Sequence, residues 1–134
     1  MAKESGMGMT VSVDDSGGVA RAIGNDITSI DFSTPRGVQD ITGLDKSAIE
    51  RLLLLADGTV TLNGVFNDAL NMSHDVFKTV PSSSVIRTVT ITVSGKVLAM
   101  EMYFSDYALS RAASGELTWV ATGQLGDGAT PTWA

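Results

Sequence analysis

Apolar and polar positions alternate with a period of two over most of this chain. Met9, Val11 and Val13 alternate with hydroxyl residues, the pattern of a strand buried on one face. Asp14-Asp-Ser-Gly-Gly18 is a turn signal, and residues 19–23 can return as the second strand of a hairpin. After a break at Gly24-Asn-Asp26, residues 27–33 put Ile30 and Phe32 on one face. Residues 59–66 alternate Val60, Leu62 and Phe66 against threonines and Asn63. The cleanest segment is 85–93, with Arg87, Val89, Ile91 and Val93 against Thr88, Thr90 and Thr92. Ser94-Gly95 marks a tight turn. Residues 96–104 then set Leu98, Met100, Met102 and Phe104 on one face and Glu101 on the other. A last strand over 116–124 carries Trp119, and the tail beyond it reads as irregular.

Two stretches break the alternation. Residues 34–44 contain Pro35, Gly37 and Gly43 among mixed charges, and a connection of that length inside a compact domain is commonly functional or mobile. In residues 45–56, Ile49, Leu52, Leu53 and Ala56 fall on one face of a helix. Ser47 and Glu50 fit a capping box, Asp45 is the alternative N-cap, and Asp57-Gly58 supplies the stop. Residues 73–80 can add two short helical turns before Pro81. Strands and helices do not alternate as in a parallel α/β fold. The expected architecture is therefore mainly β: an antiparallel β-sandwich or barrel of six to eight strands with one flanking α-helix at about 45–56. Residues 1–8, small, polar and rich in Met and Gly, read as a flexible N-terminal arm to a single domain spanning 9–134.

Composition narrows the function. A chain of 134 residues has room for one core. Its longest apolar run, residues 52–56, is far short of the roughly 20 residues of a membrane-spanning helix, and the N-terminal residues have no apolar core of a secretion signal. No membrane anchor and synthesis in the cytoplasm are expected. With no cysteine there is no disulfide, thiol nucleophile or zinc ribbon. With one histidine, His74, common transition-metal sites lack their usual ligand. The net charge of −6 disfavours wrapping or reading nucleic acid. An acidic surface that DNA slides past without sticking stays open.

Candidate chemistry is sparse. Ser73, His74 and Asp75 are adjacent, so their side chains diverge on either a strand or a helix and cannot form one relay. The scattered carboxylates mostly abut Gly, Asn or Ser, where turns and caps explain them. Asp14-Asp-Ser-Gly-Gly18 lacks the distal glutamate of a calcium loop. Gly6-Met-Gly8 lacks the third glycine and the preceding strand of a dinucleotide site. Neither an enzymatic activity nor a cofactor or metal is expected. The Met100 and Met102 stripe reads as core, with an adaptable subunit contact as its alternative. Trp133, close to the end of the sequence, has little chance of burial within its own domain and is a candidate interface anchor.

The order of segments is itself informative. It runs from a polar arm and a hairpin through Asp26-Ile-Thr-Ser-Ile-Asp-Phe-Ser-Thr-Pro-Arg-Gly-Val-Gln-Asp-Ile-Thr-Gly-Leu-Asp45 to Lys46-Ser-Ala-Ile-Glu-Arg-Leu52. Then come Asp57-Gly-Thr-Val-Thr-Leu-Asn-Gly-Val-Phe-Asn67, Ser73-His74, Arg87-Thr-Val-Thr90, Ser105-Asp-Tyr107 and Gly115-Glu-Leu-Thr-Trp119. This collinear set, over about residues 10–133, resembles the major tail proteins, or tail tube proteins, of bacteriophages with long non-contractile tails.

The resemblance implies a β-sandwich or barrel with one flanking helix, assembled as six-fold rings stacked into a hollow tube that delivers the genome. It implies a homo-oligomer in the virion, tape-measure and other tail proteins as partners, and genomic DNA passing through an acidic lumen without specific binding. It implies no catalytic or cofactor residues. In that family an N-terminal arm and a long loop after the first strands reach neighbouring subunits and the next ring. Carried over by order, these are residues 1–13, with Met9, Val11 and Val13, and residues 34–44, with Pro35, Arg36, Val38 and Ile41. Both segments are expected to be mobile in the monomer and to order on assembly. The competing expectation is a β-sandwich module that binds carbohydrate or a receptor on a virion or cell surface, which requires exposed aromatics clustered on one face.

Overall fold

The computed structural model describes residues 5–134. Residues 1–4, the first half of the expected arm, lie outside the described residues; the second half turns back on itself, the Met9 N–H donating to the Gly6 carbonyl. The described residues form β1 (Thr10–Asp14), β2 (Ala20–Ala22), a 3₁₀ turn (Gly24–Asp26), β3 (Ile27–Ser33), β4 (Arg36–Asp40), β5 (Arg51–Ala56) and β6 (Thr59–Val65). There follow α1 (Ser73–Phe77), β7 (Arg87–Val93), β8 (Lys96–Arg111), β9 (Leu117–Leu125) and β10 (Thr132–Trp133).

Eight strands make one antiparallel sheet in the order β2-β1-β7-β8-β9-β6-β3, with β10 on β8. The sheet does not close into a barrel. Strand alternation explains its two faces. The inward positions, Val11, Val13, Val60, Leu62, Val89, Ile91, Leu98, Met100, Met102, Phe104, Trp119 and Ala121, are all buried in one core. Their outward neighbours on β6, β7 and β9 are largely threonines.

The five-residue helix α1 lies against the inward face, its Phe77 packed between Phe104 and Trp119 at centroid distances of 5.1 and 5.3 Å. Trp119 anchors this end of the core, its indole N–H donating to the Val65 carbonyl at 2.9 Å. The indole lies so close to Gly64 that a Cβ there would sit 2.5 Å from the ring and clash with the Asp26 carbonyl. Met72 gives α1 no side-chain cap. Buried Asp26 caps it from across the fold, accepting from the Ser73 N–H at 3.1 Å and from Asn67 Nδ2 at 2.9 Å. Arg87, an inward position of β7, is buried too. Its guanidinium donates to the carbonyls of Asp14 and Val76 and to the Thr79 hydroxyl, tying β1, α1 and β7 together. Burial lowers its pKa.

The mainly β class with one helix holds, but the helix is not where the periodicity placed it. Residues 45–56 do not form a helix: their second half is β5, paired antiparallel with β4, which lies inside the stretch read as a loop. The reason is physical. A short apolar run satisfies helical and strand patterns alike, and a helix of this length is marginal in water unless a face is packed. Here β4 offers a ladder instead. The capping box goes unused, and the Thr42 hydroxyl accepts the Glu50 N–H at 2.9 Å to extend the ladder. The tail also differs from expectation. Residues 132–133 pair with Leu98 and Ala99 of β8.

Candidate functional site

The β4–β5 hairpin forms a two-stranded sheet of its own. Directly paired residues share a face, and Val38 stands opposite Leu53, Asp40 opposite Arg51, Gln39 opposite Leu52. One face therefore carries Val38, Leu53 and Leu55; the other carries Leu52, Leu54 and Ile41. Every one of these side chains is exposed, Leu55 to 91%, and Leu44 at the tip is fully so. The backbone is nonetheless well tied. Arg36 Nε donates to the Leu54 carbonyl at 2.9 Å, and the Asp57 N–H to the Pro35 carbonyl at 2.8 Å. A bulge lies between Arg36 and Val38. Near the tip, Asp40 accepts from both the hydroxyl and the N–H of Thr42, which holds its carboxyl below the ordinary value of 3.8.

Apolar side chains on both faces of a strand are the mark of a strand buried on both sides. A lone two-stranded hairpin is at best marginally stable in water. Contiguous exposed apolar surface of this kind marks an interaction site. The hairpin is an exposed apolar element, and Pro35, Arg36, Val38 and Ile41 all lie within it and are exposed. The run of leucines at 52–55 belongs to the same element, although its spacing also predicts a helix. The absence of polar residues on any face of that run was the available signal.

The remaining expected contact residues lie elsewhere. Val11 and Val13 point into the subunit's own core and have no side-chain surface left for a neighbour. Met9 is half-buried against that core. Trp133 is half-exposed and tilted against Phe32 at 6.1 Å, so part of its ring packs on its own domain.

The outward face of the large sheet is a second distinctive surface. Asp31, Thr61, Thr122 and Asp106 lie in register across β3, β6, β9 and β8. Glu101 on β8 faces Thr88 on β7 and accepts its hydroxyl. Asp14 ends β1 on the same face, opposite Ala20. The cations of these strands are elsewhere: Arg21 and Arg87 occupy inward positions, and Lys96 and Arg111 have the inward parity at the ends of β8. This face is thus rich in hydroxyls, acidic and free of cations among the described residues.

Ser73, His74 and Asp75 separate as their adjacency requires. Among the described residues the buried Ser73 hydroxyl has no hydrogen-bond partner. Nδ1 of His74 lies 3.2 Å from the Tyr107 hydroxyl, with Phe66 against the ring at 4.8 Å. Asp75 pairs with Lys78 at 2.6 Å and accepts the Asn71 N–H, contacts that hold its carboxyl below 3.8. Burial raises the Tyr107 pKa. Among the described residues no group of three His, Asp or Glu side chains is placed to hold a metal ion, and no helix is long and apolar enough to cross a membrane.

These features define an open antiparallel sheet with an apolar hairpin standing off one end and an acidic outward face. Solved structures with this fold exist. One is a chain from the virion of a native gene transfer agent particle, with a TM-score of 0.78, 12% identity, and coverage of 98% of this chain and 99% of that one. Another comes from the tail of an empty gene transfer agent particle with C6 symmetry, with a TM-score of 0.74, 15% identity and the same coverage. No protein-family model matches the sequence, and no curated protein matches it. The shared fold extends over essentially the whole of both chains.

Proposed function

We propose that this protein is a structural component of a phage-type virion, the subunit of a tail tube built from stacked six-fold rings, through which the genome passes. The observation that carries the reading is the whole-length fold shared with a chain from a C6-symmetric tail. The exposed two-faced hairpin fits it, because a subunit destined for permanent neighbours is the setting in which such a surface is tolerated. The tube reading gives the cation-free outward face the role of the lumen wall. Asp14, Asp31, Glu101 and Asp106 there repel phosphates, and no lysine or arginine holds them. The protein is not an enzyme on this reading, and tape-measure and other tail proteins are its further partners.

A carbohydrate- or receptor-binding module would present clustered exposed aromatics. Among the described residues Tyr103 and Trp133 are the large exposed aromatics. Tyr103 has its ring edge over Gly126, and Trp133 lies beside Phe32. Negative-stain electron microscopy of the purified protein, dilute and then concentrated, tests the proposal. Rings of six or hollow tubes of uniform diameter are expected; a monomer that stays monomeric when concentrated and binds a glycan specifically would overturn it.

A further inference from the structure

Strand β8 is 16 residues long and is partnered unevenly. On one side β7 pairs with it from Lys96 to Met102 and then leaves. On the other side β9 pairs with it from Met102 to Arg111. Each side is therefore half empty. The vacancy beside Leu98 and Ala99 is filled by the chain itself, through β10 and the paired backbone bonds of Val97 with Ala134. The vacancy along residues 103–111 is filled by no strand among the described residues.

That open edge is not bare. It borders a recess of about 310 Å³ whose far wall is the segment from His74 to Pro81, and whose lining includes Val80, Pro81, Tyr107 and Leu109. Leu109 is 46% exposed beside it. Every second residue of an antiparallel edge directs its N–H and C=O away from the existing partner, and such an edge is a template for an added strand. The recess supplies what strand addition also needs, an apolar hollow for alternate side chains.

We propose that the open β8 edge, residues 103–111, accepts the β4–β5 hairpin of a second copy of this chain as an added strand, with hairpin leucines entering the recess beside Pro81. The inference rests on the tube-subunit reading and names the two surfaces that meet. Donor and acceptor match in kind. Among the described residues the hairpin pairs with no other strand, and the leucines on its faces need cover. The two surfaces lie on different parts of one chain, so the contact is head-to-tail and propagates from copy to copy.

Amide hydrogen exchange, resolved by residue and compared between monomer and assembled protein, reads the contact whatever its register. Alternate amides within 103–111 should slow by about tenfold or more on assembly, with a period of two. Because the chain has no cysteine, proteins carrying Cys at 52, 53, 54 or 55 can each be mixed with a Leu109→Cys protein. At least one mixture should give a disulfide between copies faster than either protein alone. A Leu109→Glu variant should keep the monomer's circular dichroism and melting curve yet fail to assemble. Rings or tubes that form with 103–111 still exchanging freely, with no such disulfide, or with Leu109→Glu present would overturn this contact and leave the tube reading standing. A native protein that stays monomeric at every concentration and binds a glycan specifically would overturn both.

Discussion

The large sheet and the β4–β5 hairpin are both antiparallel β-structure, yet their side chains obey opposite rules. In β7 every inward residue from Arg87 to Ile91 is buried and every outward one is a threonine. In β5 the residues from Leu52 to Leu55 are all leucine and all exposed. The first pattern satisfies one solvent and one core within a single chain. The second is satisfied only when something covers both faces. The buried sheet and the exposed hairpin can therefore be perturbed separately.

The largest expected effect is on the sheet. Trp119→Ala removes the indole packed against Phe77 and Tyr107 and leaves the Val65 carbonyl without its donor. It should cost about 3–5 kcal/mol, read by chemical denaturation of the monomer. Arg87→Ala strips the buried donors from the Asp14 and Val76 carbonyls and the Thr79 hydroxyl. About 2–4 kcal/mol is expected, by the same measurement. Gly64→Ala drives a methyl against the Trp119 ring and the Asp26 carbonyl and should cost about 1–3 kcal/mol. Leu55→Asp inverts the outcome. Because Leu55 is 91% exposed, monomer stability should change by less than about 0.5 kcal/mol, while sedimentation or microscopy should show assembly lost. A large loss of monomer stability in Leu55→Asp would erase the distinction between the two regions.

The smallest effect is one of pH. The Val19 amide foremost, with Arg21 and the Gly17 amide, holds Asp15 below its ordinary value of 3.8. Lys78 and the Asn71 amide do the same for Asp75. A carboxyl depressed in the folded state contributes stability that is present above its unfolded pKa and lost as pH falls through its folded one. Monomer stability should therefore slope downward below about pH 4, and Asp15→Asn with Asp75→Asn should flatten that slope. Tyr107 acts at the other end. Its raised pKa favours the neutral phenol in the fold, so its contribution is present below about pH 10 and is lost as pH rises toward the folded value.

Much of the sheet was legible in the sequence because its residues answer to one rule. Val89 and Ile91 are inward, Thr88 and Thr90 outward, and the period says so directly. The hairpin was not legible for the same reason in reverse. Leu52–Leu55 has no polar face, so its period carries no information, and only the partner strand at Arg36–Asp40 decides between helix and strand. The second half of β8 was hidden differently. An irregularity between Phe104 and Asp106 shifts the register against β9, so the inward residues change from even to odd numbers, from Met102 and Phe104 to Tyr107 and Leu109. An alternation that changes phase reads as a strand that has ended. Of the residues expected at contacts, Pro35, Arg36, Val38 and Ile41 lie on the exposed hairpin, although their Pro and Gly content predicts a loop there rather than a strand. Val11 and Val13 belong to the core, because their alternation with hydroxyls faces the subunit's interior.

That shift at Ser105 also bears on geometry at a larger scale. An extra residue in one strand of a pair bends it and increases its twist, and this one sits just past the place where β7 leaves β8. Copies joined head-to-tail close into a ring only when each turns the wall by an equal share of the circle, about 60° for six. A chain lacking Ser105 would keep Phe104 facing the core opposite Gly123 and Asp106 facing outward opposite Thr122, while losing the bend. For the assembly proposed above, deleting Ser105 should therefore change the ring size, read as tube diameter by electron microscopy, while leaving monomer stability unchanged.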